Sequence, residues 1–221
     1  MSLLDFEALQ LAPLSREPFT FTIVHNAIRP ADAAAIRDDF PEIEDCGLLP
    51  VEATHHGPLF RRLIEELKSE ETARAFSEKF GVNLVGRPQM ITVRGRCAAK
   101  DGRIHTDTPT KLITALIYFN DQWEASGGRL RLLRSPTDLD DMIGEVPPDL
   151  GTMIAFRRSD KSFHGHEPYE GVRRYVMINW MTNDFAAKRE LLRHRVSARA
   201  KQALKLLKPL RVAKAGGGAR G

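Results

Sequence analysis

The chain has 221 residues, 42% of them hydrophobic and 28% charged, a globular composition that excludes wholesale disorder. No apolar run approaches the roughly 20 residues needed to cross a bilayer. The two cysteines, Cys46 and Cys97, sit in no CxxC or zinc spacing, which excludes a disulfide-built secreted fold and points to a reduced, cytoplasmic setting. The formal net charge of +4 is unevenly spread: residues 186–221 hold eleven Lys and Arg against a single acid, Glu190, while residues 1–185 hold 22 basic and 28 acidic residues, a balance of −6. An acidic body argues against a surface built to grip phosphates, so nucleic acid is not the expected partner. The basic tail suits an acidic partner.

In chain order, Met1 to Leu14 contains Asp5 and Glu7 with no early basic residue, a poor signal peptide. Phe19 to His25 alternates as a short strand. Pro30 to Phe40 reads as a helix with proline in its first turn, ended by Pro41. Two helical stretches follow in residues 57–80, with Ser69 as the cap between them and Gly81 as the stop. His55 and His56 precede Gly57-Pro58 and read as loop residues. The pattern then turns to β: Gln89–Arg94, Arg103–His105, Leu112–Asn120, Arg129–Leu133, Thr152–Arg157 and Arg174–Met181, separated by glycine and proline turns. Short strands at near-regular spacing predict an antiparallel sandwich or barrel. Residues 134–150 read as a long acidic loop. From Asp184 onward Leu192, Val196, Ala200, Ala203 and Leu207 share one helical face, predicted to dock on the barrel.

His105-Thr106-Asp107 ends one β-like segment. Residues two apart on an extended chain share a face, so His105 and Asp107 can address one point. Imidazole with carboxylate suits a first-row transition metal better than magnesium or calcium. A second histidine segment, SFHGHEP, lies about sixty residues on, after the strand-like GTMIAF. Two histidines and a carboxylate on one face of a metal leave its other positions open, as in non-haem iron(II) oxygenases. Arg173-Arg174 follow on the next strand. A buried arginine there wants a bidentate carboxylate, and a dicarboxylic cosubstrate fits.

In these elements, taken in order as IHTD, LITALIYFND, SGGRLRLL, GTMIAF, SFHGHEP and GVRRYVMINW, residues of about 89–181 resemble the iron(II)- and 2-oxoglutarate-dependent dioxygenases, prolyl 4-hydroxylase-like. The resemblance implies a mainly β fold with flanking helices around a double-stranded β-helix (jelly-roll) core. With the helical readings it gives one expected dioxygenase domain over 1–185, with helical support to about residue 85 and the jelly roll over about 86–183, while charge and periodicity set off a basic helix and flexible tail over 186–221. It implies Fe(2+), with 2-oxoglutarate and O2 becoming succinate and CO2 as a C–H bond is hydroxylated on a prolyl or other protein side chain, or on a small molecule. His105 and Asp107 match the first two iron ligands. The third is His164 or His166, with Pro168 four residues on favouring His164. For the distal carboxylate of 2-oxoglutarate, the offset to Trp180 favours Arg174 and the offset from Gly171 favours Arg173. Tyr118 occupies the family's tyrosine position, and Arg103 shares the parity of His105. An R-x-N-x-x-x-R pattern expected of a nucleic-acid demethylase is absent after the distal histidine, and the presence of Asp107 disfavours a halogenase. A non-catalytic jelly-roll binding module is the alternative of a different class.

Overall fold

The structure is a computed structural model that describes residues 2–185 together with 187–189, 192 and 196. Its elements are α1 (Phe6–Leu11), β1 (Leu14–Ser15), β2 (Phe21–Val24), α2 (Pro30–Asp38), β3 (Leu49–Pro50), α3 (Pro58–Leu67), α4 (Glu70–Phe80), β4 (Gln89–Cys97), β5 (Lys111–Tyr118), β6 (Leu130–Leu133), β7 (Met142–Val146), β8 (Met153–Arg157), β9 (His164–Gly165) and β10 (Gly171–Met181). The helix ends follow the sequence signals. Proline opens α2 and α3, the Ser69 hydroxyl accepts from the Thr72 N–H at the start of α4, and Gly81 ends α4 at φ 64°, a conformation that suits glycine.

Two antiparallel sheets make the jelly roll. The major sheet runs β1-β2-β8-β5-β10-β4-β3 and the minor sheet β7-β6-β9. Both faces of the central strands are covered, so β5, β8 and β10 read as nearly continuous apolar runs rather than alternating ones. Period-two alternation sorts their side chains. Ile113, Ala115 and Ile117 of β5, with Val176, Ile178 and Trp180 of β10, join the cluster that includes Phe60 and Leu63 of α3 and Phe76 of α4. Trp180 lies 4.7 Å from the Phe76 ring. Leu116, Tyr118, Tyr175 and Met177 point the other way and pack with Leu130, Leu132 and Val146 of the minor sheet. The helices thus brace one side of the major sheet, and the other side closes over the space between the sheets.

Two sequence expectations change, and a third lies largely outside the described residues. The acidic loop predicted over 134–150 contains β7, which pairs with β6 and is clamped by Arg131 to Asp140, Glu145 and Glu167. Its strand was hidden because Met142–Val146 is half-exposed and carries Gly144 and Glu145. The predicted strand Arg103–His105 reduces to a single bridge, His105 to His164. Of the predicted C-terminal apolar stripe, Leu192 and Val196 are exposed, which gives no support to docking on the barrel, and Ala200, Ala203 and Leu207 lie outside the described residues. Among the described residues, no helix is long and apolar enough to cross a membrane.

Candidate active site

A cavity of about 280 Å³ opens between the sheets. Its walls include His105, Asp107, His164, His166 and Arg173, drawn from the segment before β5, from β9 and its exit, and from β10. The backbones of His105 and His164 exchange both hydrogen bonds (3.1 and 3.0 Å), so the bridge that replaces the predicted strand sets the two imidazoles side by side, ring centroids 4.3 Å apart. One ligand atom from each of His105, Asp107 and His164 lies within 4.8 Å of the other two. Asp107 and His164 are buried and His105 is exposed at the mouth.

Hydrogen bonding fixes which atoms are free. His105 Nδ1 is 2.8 Å from the Arg103 carbonyl and His164 Nδ1 is 2.9 Å from the Ser162 carbonyl. A carbonyl only accepts, so each Nδ1 carries the proton and each Nε2 keeps its lone pair, as metal-binding imidazoles require. Burial pushes the His164 ring down to about 4, with His105 adding to the effect and Asp107 opposing it, so the imidazole is neutral at pH 7. Asp107 takes Lys111 Nζ on Oδ1 (2.8 Å) and Thr114 Oγ1 on Oδ2 (2.5 Å). Burial alone would raise this carboxyl. The Lys111 ammonium, His164 and the two hydrogen bonds outweigh it and hold Asp107 well below the usual carboxylate range. Thr114 Oγ1 also lies 2.9 Å from Asn179 Oδ1. A hydroxyl has one proton, and Asp107 takes it. Exchanging O and N of the Asn179 amide makes the second contact an N–H donated to Thr114, and gives a partner to the otherwise unpartnered Nδ2. A chain Asn179–Thr114–Asp107 therefore orients the carboxylate. The donor set, two neutral imidazole nitrogens and one ionised carboxylate, fits iron(II).

His166 lies in the same cavity, two residues along, but outside the ligand cluster. Its Nδ1 is 2.7 Å from the Glu167 carbonyl, and burial next to Arg173 pushes the ring down to about 4. Gly102 makes room for it: a Cβ there would sit 2.5 Å from His166 Nδ1, at φ 92°.

The arginines separate cleanly. Arg173 is 2% exposed and lines the cavity, whereas Arg174 is exposed and does not. The preference for Arg174 is corrected, and the cause is parity. Residues six apart share a face, and Trp180 faces the helices, so Arg174 turns away from the cavity with it. Arg173 shares the parity of Tyr175 and Met177. Its Nε donates to the Gly128 carbonyl (2.7 Å) and its Nη2 lies 3.5 Å from the Tyr118 hydroxyl. The guanidinium stacks over Tyr118 and Tyr175 at 5.4 and 5.2 Å. Among the described residues no carboxylate pairs with it. Tyr118 is fully buried behind Arg173, and burial pushes its phenol up to about 12 with Arg173 opposing. Arg103 is exposed and enters only through its carbonyl. Sequence reasoning missed Lys111, Thr114, Asn179 and the Arg94–Asp101 pair. Thr114 carried a signal, a lone hydroxyl on the inward parity of β5 that Leu116 and Tyr118 share.

Residues 96–182, which carry every one of these groups except Arg94, match the family model described as the 2OG-Fe(II) oxygenase superfamily. The match covers less than half of the chain, and that segment is similar to the 2OG-Fe(II) oxygenase superfamily. That superfamily uses iron(II), 2-oxoglutarate and O2, and the matched segment with its His105–Asp107–His164 cluster supports a 2-oxoglutarate-dependent dioxygenase. Among solved structures, the oxygenase is similar to a viral collagen prolyl hydroxylase from Paramecium Bursaria Chlorella virus-1, in complex with 2OG, at 13% identity and TM-score 0.51, covering 73% of this chain and 96% of that one. It is similar to a prolyl 4-hydroxylase from Phytophthora capsici at 18% identity and TM-score 0.51, covering 84% of this chain and 64% of that one. A Pseudomonas putida prolyl-4-hydroxylase aligns at 16% identity and TM-score 0.49, over 80% and 90% of the two chains. At these identities the likeness is one of fold. No curated protein matches the chain.

Proposed function

We propose that this oxygenase is a hydroxylase in which His105, Asp107 and His164 hold iron(II) and Arg173 receives the distal carboxylate of 2-oxoglutarate. The observation that carries the reading is Arg173: a guanidinium only 2% exposed, in the same cavity as the three ligand candidates, with no acidic partner among the described residues. A buried unpaired charge is costly unless a ligand completes it, and a planar fork matches a carboxylate two-pronged. Tyr118 stands within reach to hold the guanidinium and add a hydroxyl.

Iron(II), when bound, supplies the redox chemistry that couples oxidation of 2-oxoglutarate to succinate and CO2 with insertion of one oxygen atom of O2 into a substrate C–H bond. The chain's own groups do the rest. The backbone carbonyls of Arg103 and Ser162 hold both imidazoles in the tautomer that leaves Nε2 free. Lys111 and Thr114 fix the rotation of the Asp107 carboxylate. Leu116, Leu130 and Met177 line the cavity with apolar surface that keeps water from the centre. The fold neighbours named as prolyl hydroxylases make a prolyl side chain the first substrate to try. The reading is tested by succinate formation from 2-oxoglutarate in purified protein. Slow release without substrate that needs added iron(II) supports it, and release that persists in Arg173→Met at the same 2-oxoglutarate concentration contradicts it.

A further inference from the structure

The charged lining of the cavity is short enough to balance: Arg94, Lys111 and Arg173 against Asp101 and Asp107. Arg94 is ion-paired to Asp101, and Lys111 to Asp107. The two buried histidines, His164 and His166, each give their Nδ1–H to a backbone carbonyl and are counted as neutral imidazoles. Three cations against two carboxylates leave one positive charge. A divalent metal and a dicarboxylate cosubstrate cancel each other, so the loaded cavity keeps that surplus.

With the metal and 2-oxoglutarate held as proposed above, Arg173 would face a carboxylate, Arg94 would keep Asp101, and Asp107 would share its single charge with the metal. Lys111 is left without an anion of its own. Its side chain is 9% exposed, and its ammonium has three N–H groups, of which one is given to Asp107 Oδ1; no other acceptor reaches it among the described residues. A buried cation that lines the cavity thus keeps two donors for a ligand. The adjoining chain carries the same sign: Lys100 and Arg103 flank the lining residues Asp101 and Gly102 in sequence, and both are exposed.

We propose, on the oxygenase reading above, that the substrate is a small carboxylic acid carrying one negative charge, and that Lys111 is the residue that receives its carboxylate. The prolyl peptide that the fold neighbours suggest would leave the surplus unmatched unless it brings an acidic group of its own, so a small acid is favoured over it. Lys111 is thereby a specificity-determining residue beside its role in holding Asp107.

The test uses the full chain loaded with zinc(II) and 2-oxoglutarate, so that no turnover occurs, with trifluoroacetate and the neutral trifluoroacetamide as probes followed by fluorine NMR line broadening. The expected result is trifluoroacetate binding at least tenfold tighter than trifluoroacetamide, a preference kept in Lys111→Arg and cancelled in Lys111→Gln. Equal binding of the two probes by wild-type protein, or an acid preference that survives in Lys111→Gln, overturns the proposal. Metal and 2-oxoglutarate content are measured on the same samples. Wild-type protein that takes up neither refutes the oxygenase reading itself, whereas protein that takes up both and shows no acid preference refutes only the role of Lys111. Should Lys111→Gln fail to load, the ratio in wild type and in Lys111→Arg decides.

Discussion

Replacing Arg173 by methionine removes the guanidinium while keeping most of the apolar stem that packs beside Tyr118 and Tyr175. The size of the effect follows from the geometry. Nε is committed to the Gly128 carbonyl, which leaves the two terminal nitrogens for a two-pronged carboxylate. Hydrogen bonds to a charged group contribute about 1.5–3 kcal/mol each, so two of them amount to about 3–6 kcal/mol. That converts to roughly 10²–10⁴-fold weaker binding of 2-oxoglutarate. Arg174→Met, one residue along on the exposed face, is expected to change binding by less than about threefold, because exposed charges contribute little. Quenching of tryptophan fluorescence, titrated with 2-oxoglutarate in anaerobic metal-loaded protein, measures both. Equal losses in the two variants, or a larger loss in Arg174→Met, would refute the assignment of the inward face of β10.

Two further outcomes follow from the same geometry. His164 and His166 hold their protons with values of about 4 in the native state against an ordinary value near 6.5, so the unfolded chain binds more protons between those limits. Stability of the metal-free protein is then at its full value above pH 6.5, falls as pH drops towards 4 by up to about 3 kcal/mol per histidine, and loses the Asp107 contribution only below that. Urea midpoints measured across pH 4 to 8 check this, and a flat profile contradicts it. Thr114→Val keeps the shape but takes the hydroxyl from Asp107 Oδ2 and from Asn179. It is expected to weaken metal binding about 10–100-fold, as loss of a group that orients a ligand does, at a cost of about 1–3 kcal/mol in stability. Competition with a chromogenic chelator reads the first and thermal denaturation the second. An unchanged metal affinity would remove Thr114 from the orienting chain.

Much of the architecture was legible because the strands of a double-faced sheet leave long apolar runs, and LITALIYF and GTMIAF are such runs. The helix limits were legible because proline, Ser69 and Gly81 act locally. The His105/Asp107 pair was legible for the same reason, since residues two apart need only an extended backbone. What could not be read was set by tertiary contact. β9 is two residues long and exists because His164 meets His105 and Leu132. The β6–β7 hairpin depends on Arg131 gathering three acids from separate segments. The choice between Arg173 and Arg174 turned on which way Trp180 faces, and only the helices packed behind β10 determine that. Lys111 carried no signal in the sequence, because its partner Asp107 reaches it only through the fold of the intervening turn.

Anaerobic titration of the metal-free protein with iron(II) tests the central claim most directly. The convergence of His105, Asp107 and His164 predicts one tightly bound iron(II) per chain in wild type, and none in His105→Ala, Asp107→Ala or His164→Ala at the same concentration, with His166→Ala retaining the metal. Wild-type protein that takes up no iron, or His164→Ala that binds it as wild type does while His166→Ala does not, would contradict the account.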